Sequence, residues 1–149
     1  MTIYSFKDLS GSFSHPLVGA YPLNGGNIGL GQITVVMTTE KSIIDIAADG
    51  STMISYIAGD NGTVTIEVQQ TSIFHDFLLQ WYNSIKTNAD LGDVSLWASA
   101  SITLRNIVDG TMHTLLGVAP TKIPDKVYAA QGGKITWNML VAESSQVVV

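Results

Sequence analysis

The sequence predicts a mainly β domain of the α+β kind, a β-sandwich or rolled sheet of about eight strands with one flanking α-helix. Three observations carry that reading. Apolar–polar alternation recurs in short runs bounded by Gly, Asn and Asp, whereas helical spacing is sustained over only one stretch. Of 149 residues, 46% are hydrophobic, enough to give one domain over 1–149 a real core.

The opening "MTIYSFKDLSGSFSH" alternates well enough for a short first strand. "LVGAYPLNGGNIGLG" then spends Gly19, Gly25, Gly26, Gly29 and Gly31 within one segment, which reads as a long extended, mobile loop. "QITVVMTTEK" and "SIIDIAADG" follow as two strands joined near Glu40 to Ser42, and "TMISYIAG" is a third after the turn "ADGS". In "GDNGTVTIEVQQTSIFHDFLLQWYN" the turn residues Gly59 to Gly62 lead into a strand. Its Val64, Ile66 and Val68 occupy one face, and Thr63, Thr65, Glu67 and Gln69 the other. Thr71 and Ser72 then cap a helix over Ser72 to Lys86, whose Ile73, Phe74, Phe77, Leu78, Trp81, Tyr82 and Ile85 recur at helical spacing. "VSLWASASITLRNIV" alternates as a long strand ended by Asp109-Gly110, and "TMHTLLGVAP" pairs back. "TKIPDKVYAAQGG" is a connector. "KITWNMLVAE" is a last strand with Ile135, Trp137, Met139 and Val141 on one face, and the tail "SSQVVV" has no assignable pattern.

Only 13% of residues are charged, so the surface is polar but mostly uncharged and offers little charge repulsion against burial in an assembly. The net charge is −5 and the seven basic residues are scattered, which disfavours stable nucleic-acid binding, since that needs clustered cations. With no cysteine there is no disulfide, thiolate or Cys-based metal chemistry, as suits a reducing cytoplasm. The N-terminus lacks a basic and apolar leader, and no run approaches the roughly 20 apolar residues of a membrane span.

Catalytic chemistry is absent from the motifs. His15, His75 and His113 share no ligand spacing and read as surface or helix-end histidines, while Asp76 favours the helix N-terminus electrostatically. "GGNIGLG" has neither the dinucleotide glycine order nor the Lys-Ser/Thr of a phosphate loop. Asp45, Asp49 and Asp60 lack the dense spacing of a calcium loop, and Trp81, Trp97 and Trp137 sit in apolar patterns that favour packing over sugar stacking. The expectation is a non-enzyme without metal or cofactor.

The strand, turn and helix together resemble the bacteriophage tail tube proteins, including the phage structural proteins of contractile-tailed phages. The resemblance is carried by "GDNGTVTIEVQQTSIFHDFLLQWYN", similar to the family's G-x-x-G-T-V-T, strand, Thr-Ser cap and amphipathic helix. The preceding "ITVVMTTEKSIIDIAADGSTMISYIAG", the early "YPLNGGNIGLGQITV" and the closing "KITWNMLVA" support it; Asp90 to Gln131 matches least. It implies a structural subunit that forms stacked hexameric rings, whose inner sheets join a ring-wide β-barrel around a hollow conduit for DNA ejection. Implied partners are further copies of the chain, tail sheath, baseplate and tail-terminator proteins, a tape-measure protein in the lumen, and DNA only as passing cargo, with no membrane. The implied location is the tail of a virion made in the host bacterial cytoplasm.

With that barrel, alternation assigns Thr65, Glu67 and Gln69 to the lumen, with Thr34, Thr38, Glu40, Asp45 and Ser55 as companions on neighbouring strands, acidic and polar without a lysine among them. The loop Tyr21, Pro22, Leu23, Asn24, Gly25, Gly26, Asn27, Ile28 and Gly29 is assigned to contacts between subunits. Two rival readings stand beside this one. One is the tube of a phage-derived injection or bacteriocin particle that carries no DNA. The other is a monomeric carbohydrate-binding or enzymatic β-sandwich, for which a convergent polar pocket is the missing sign.

Overall fold

The computed structural model describes residues 2–24 and 29–148. Among these, nine strands and one α-helix form. A single helical turn, Phe6–Asp8, precedes β1 (Leu9–His15) and β2 (Gly19–Asn24). Then come β3 (Leu30–Met37), β4 (Ser42–Ile46), β5 (Thr52–Tyr56) and β6 (Gly62–Gln69). The helix α1 (Ile73–Asp90) leads to β7 (Ala100–Asn106), β8 (Thr111–Pro120) and β9 (Lys134–Val148).

Seven strands join one antiparallel sheet in the order β2-β1-β7-β8-β9-β6-β3, while β4 and β5 pair only with each other. The order forces the sheet to curl. Strands β2 and β3 are opposite edges yet consecutive in sequence, separated only by residues 25–29. Six interstrand gaps of about 4.8 Å would hold the edges of a flat sheet about 29 Å apart. Five linking residues span only about 20 Å even when fully extended. The sheet therefore rolls toward itself as a half-barrel, and α1 fills the hollow.

The alternation of β6 places Val64, Ile66 and Val68 in that hollow, fully buried, beside Ile135, Trp137, Met139 and Val141 of β9. Helix α1 starts where Ser72 accepts a hydrogen bond from the Phe74 N–H at 3.1 Å, satisfying one of the first-turn donors. It presents Phe74, Leu78, Trp81 and Ile85 to the sheet at helical spacing. Phe77 and Tyr82 are half-buried, and Ile73 faces water at 69% exposure, because the first position of the helix lies at the rim of the hollow. From β1, Phe13 wedges edge-on against Trp81 with ring centres 4.9 Å apart, and Tyr21 of β2 lies 5.0 Å from Phe77.

Several elements differ from the sequence expectation for identifiable reasons. Residues 19–24 form an edge strand rather than a mobile loop, because Tyr21 and Leu23 alternate into the aromatic cluster. The strand expected from Val94 starts only at Ala100: Asp93 accepts hydrogen bonds from the Ser95 N–H at 3.0 Å and the Ser95 hydroxyl at 2.6 Å, bending the chain into a turn first. The tail pairs with β8 as far as Val148 opposite Thr111, so β9 runs through "SSQVVV". Gly117, at φ +68°, is the extra residue where Ala100 faces Val118 but Ser101 faces Leu116. That bulge lets both Leu115 and Val118 point inward.

Candidate assembly site: a projecting arm and a polar sheet face

Strands β4 and β5 prolong the β3–β6 hairpin beyond the body. Past the Met37–Gly62 pair, the Thr38 N–H donates to the Asn61 carbonyl at 3.1 Å, and the Thr39 hydroxyl to the Asn61 side chain. The Ile57 N–H then donates to the Lys41 carbonyl at 2.9 Å, and pairing resumes at Ser42 opposite Tyr56. Lys41 Nζ ties the junction by bonding the Gly59 carbonyl at 3.0 Å and the Asp60 carboxylate at 2.8 Å. At the tip the Ala47 N–H donates to the Ser51 carbonyl and Gly50 adopts φ +88°. The Asp49 carboxylate accepts from the Ser51 N–H, which holds its pKa below the usual carboxylate value.

This arm is apolar where a lone hairpin ought to be polar. Ile44 stands directly opposite Ile54, with Ile46 and Tyr56 on the same face; Ile43, Asp45, Met53 and Ser55 make the other face. Every residue of both strands is exposed, with Ile44 at 59% and Tyr56 at 77%. Two strands without a covering layer are marginal in water, and several exposed branched and aromatic side chains in one element mark a docking surface.

The second feature is the face of β6 turned away from the core. Cross-strand pairing sets Thr34, Thr65 and Asn138 in one row, and Gln32, Glu67 and Thr136 in the next. The Thr65 hydroxyl donates to Asn138 Oδ1 at 3.1 Å. Gln69 lies opposite Lys134, whose ammonium pairs with Glu67 at 3.3 Å.

Of the residues assigned to the lumen, Thr34, Thr65, Glu67 and Gln69 thus share one polar face. Thr38 and Glu40 lie past the end of β3 at the arm's base, and Asp45 and Ser55 lie on one face of the arm, outside the main sheet. To the residues named from the sequence, pairing of β9 with β6 adds Lys134, Thr136 and Asn138 on the same face. These were visible as the even, polar positions of "KITWNM", but only the pairing partner reveals their face. Of the segment assigned to subunit contacts, Tyr21, Pro22, Leu23 and Asn24 belong to β2, with Leu23 held in the core. Gly29 approaches the Gln69 side chain, and 25–28 lie outside the described residues.

Of the histidines, His75 does stand in the first turn of α1, but it and His15 are buried, and His113 is half-buried. His15 Nε2 donates to the Leu96 carbonyl at 2.9 Å, while its Nδ1 accepts from the Leu17 N–H at 3.1 Å. His75, 1% exposed, accepts at Nδ1 from the Trp137 indole N–H at 3.1 Å, pinning α1 to β9. Indole can only donate, so this bond requires an unprotonated Nδ1. Burial, and then the charge of Lys126, lower the His75 pKa below that of a free histidine, with Asp76 opposing them. No group of three or more His, Asp or Glu side chains that could hold a metal ion occurs among the described residues. Nor is any helix among them long and apolar enough to cross a membrane.

A rolled sheet around one helix, with a projecting hairpin that exposes Ile44, Ile54 and Tyr56, is the architecture of a tube-type subunit. The family described as bacteriophage PhiTE tail tube protein matches residues 1–148, and the chain belongs to it. That family is structural, not enzymatic. No curated protein matches the sequence. Among solved structures, the chain is similar to one from an extracellular contractile injection system, the PVC sheath–tube complex in the extended state. The two are 12% identical with a TM-score of 0.63, over 99% of this chain and 93% of that one. A chain of the anti-feeding prophage baseplate, 6-fold symmetrised, gives 0.62 at 10% identity over 100% and 97%. One from the tube-terminating cap of the same particle gives 0.61 at 8% identity over 100% and 93%. The curled, one-helix sheet is the shared fold.

Proposed function

We propose that this chain is the repeating subunit of a contractile-type tail tube, folded as one unit over 1–149 and assembled as stacked hexameric rings around a conduit for DNA ejection. The observation that carries the reading is the arm, an extension of the β3–β6 hairpin whose apolar side chains have no layer to pack on within one chain. The open edge of β3 supports it, since closing sheets around a ring removes unpaired edges.

In this reading the face bearing Thr34, Thr65, Glu67 and Gln69 lines the lumen, with the arm's Thr38, Glu40, Asp45 and Ser55 contributing beyond the body. Tyr21 to Gly29, at the opposite edge, meets a neighbouring subunit. Within the main sheet the wall is polar, with Lys134 offsetting Glu67, while Glu40 and Asp45 leave the arm's part acidic. Such a wall does not condense phosphates, which suits cargo that must slide. Sheath, baseplate, terminator and tape-measure proteins are the remaining partners, and the product is a virion tail made in the bacterial cytoplasm. The tube of a phage-derived injection particle carrying no DNA is the second reading, favoured by the likeness to chains of an extracellular contractile injection system and of the anti-feeding prophage; the genes beside this one distinguish the two.

Mass photometry over rising concentration, followed by electron microscopy of the products, tests the reading. Rings or tubes with six-fold symmetry are expected. A protein that stays monomeric under every condition, tail extract included, refutes it.

A further inference from the structure

The connector between β8 and β9, residues 121–133, is fastened to the sheet at both ends. At its start the Thr121 N–H and hydroxyl both donate to the Asn138 carbonyl, at 3.1 and 2.7 Å. At its close the Gln70 N–H donates to the Gly133 carbonyl at 3.0 Å, and the Gly133 N–H donates to the Gln70 side-chain oxygen at 3.3 Å. Between these ties the connector and β9 enclose a cleft of about 410 Å³. That volume lies within the roughly 300–1,000 Å³ of clefts that take ligands.

The cleft opens on the polar face of the sheet, since its floor is Thr136 and Asn138, which share rows with Glu67 and Thr65. Its groups have bonding capacity to spare. Lys122 and Asp125 line it, and neither is paired with an opposite charge among the described residues. Lys134 meets Glu67 at 3.3 Å but keeps 63% of its side chain exposed, and an ammonium has three donors to place. Asn138 Oδ1 accepts the Thr65 hydroxyl on the β6 side, which turns its Nδ2 amide to the other side, where the connector runs. Pro124 and Val127 add apolar lining.

Charges of both signs, an amide, a hydroxyl and a small apolar surface within one cleft complement a peptide, not a phosphate chain. A DNA duplex presents uniform negative charge, which Asp125 and Glu67 repel. An acidic peptide presents carboxylates on flexible stems to the lysines, backbone N–H groups to Asp125, carbonyls to the Asn138 amide, and methylenes to Pro124 and Val127.

We infer that this cleft is a binding site for an acidic peptide segment of a protein carried in the tube, with Lys122 and Lys134 holding its carboxylates and Asp125 and Asn138 its backbone. The placement in a lumen rests on the tube reading, whereas the site itself is a property of one subunit. Exposed charge pairs of this kind are individually weak. A ring repeats the site in every subunit, so an extended acidic segment is retained by several contacts while no single one holds it fast.

Titration of the isotope-labelled subunit, below its assembly concentration and in physiological salt, with a short peptide of alternating Glu and Ala tests the site by amide chemical shifts. The shifts should saturate and concentrate at residues 121–138. Lys122→Ala should weaken binding about fivefold, while Lys86→Ala, which removes an equal charge from α1 on the other face of the sheet, should change it less than about twofold. Both lysines are exposed, so the thermal melts of the variants should match wild type. The corresponding Gln and Ala peptide should bind about fivefold more weakly or worse. A short DNA duplex that shifts the same amides with higher affinity would make the cleft a phosphate site and overturn the inference. So would equal binding of the Gln peptide, an equal loss at Lys86→Ala, or the absence of any shift in the connector. If the protein forms tubes but fails these tests, this inference falls and the tube reading stands. If the Glu peptide binds in the cleft yet no ring or tube ever forms, the placement in a lumen is refuted together with the tube reading, and only the peptide site is upheld.

Discussion

Replacing Leu78 by Ala probes whether α1 fills the hollow of the sheet, as a tube wall built on one helix requires. Leu78 is fully buried, midway along the helix. Truncation removes three carbons, worth about 2.4 kcal/mol of transfer free energy at about 0.8 kcal/mol per buried methylene. The unfilled volume adds to this, so the total falls at about 3–4 kcal/mol, within the range measured for buried leucines. At about 2–4 °C per kcal/mol for a chain of this size, the melting temperature should drop about 10 °C. Urea unfolding at concentrations below assembly, followed by the fluorescence of the buried Trp81 and Trp137, gives the loss directly if the denaturant slope is unchanged. Ile73→Ala is the internal control: the side chain is 69% exposed, so the change should stay within about 0.5 kcal/mol. Phe77→Ala, half-buried, should fall between them. A Leu78→Ala loss below about 1 kcal/mol, or an equal loss at Ile73, would show that the helix does not pack by this face.

Acid should loosen the subunit before its carboxylates titrate. The pKa values of His75 and His113 are both lowered, chiefly by burial, so the unfolded chain takes up protons that the folded one resists. Stability is then complete above the unfolded value near 6.5 and falls as pH drops toward the folded values, by at most about 1.4 kcal/mol per pH unit for each group. Equal melting temperatures at pH 7.5 and 5.5 would contradict this. Gly117→Ala should cost upwards of about 1 kcal/mol, because φ is +68° and a new Cβ would lie 2.5 Å from that of Ala142; chemical denaturation reads it. Ile54→Asp should leave the monomer's melting temperature within about 2 °C of wild type while abolishing assembly by mass photometry, since the residue is exposed on the arm. Glu67→Lys would set two ammonium groups together on the polar face, leaving assembly intact and slowing DNA delivery in an infectivity assay; delivery at the normal rate would defeat the lumen assignment or its electrostatic basis.

What the sequence made legible was whatever local chemistry alone dictates. The strand at β6, the Ser72 cap, the helical stripe and the inward face of β9 all follow from spacing within a dozen residues, and they appear as expected. What escaped depends on partners far along the chain. β2 is a strand because Tyr21 and Leu23 meet an aromatic cluster supplied by α1 and β1, and glycine and proline content masks that pull. The buried state of His75 depends on Trp137, 62 positions away. The arm shows the ambiguity most sharply: "SIIDIAADGSTMISYI" is as apolar as a core strand, so composition identifies two strands but not whether the layer that covers them belongs to the same chain.

A hairpin that is apolar on both faces is a hazard unless it discriminates among the surfaces it meets. Two arms could in principle stack on each other as a closed pair. Against this, Glu40, Asp45 and Asp49 of one arm would face the same carboxylates of the other within the roughly 8 Å over which charges are felt at physiological salt. The Asp49 pKa is lowered by its bonds to Ser51, so that carboxylate is ionised at neutral pH. Arm-to-arm contact is therefore disfavoured, and pairing at the β2 edge is blunted by Pro22, which has no N–H to offer.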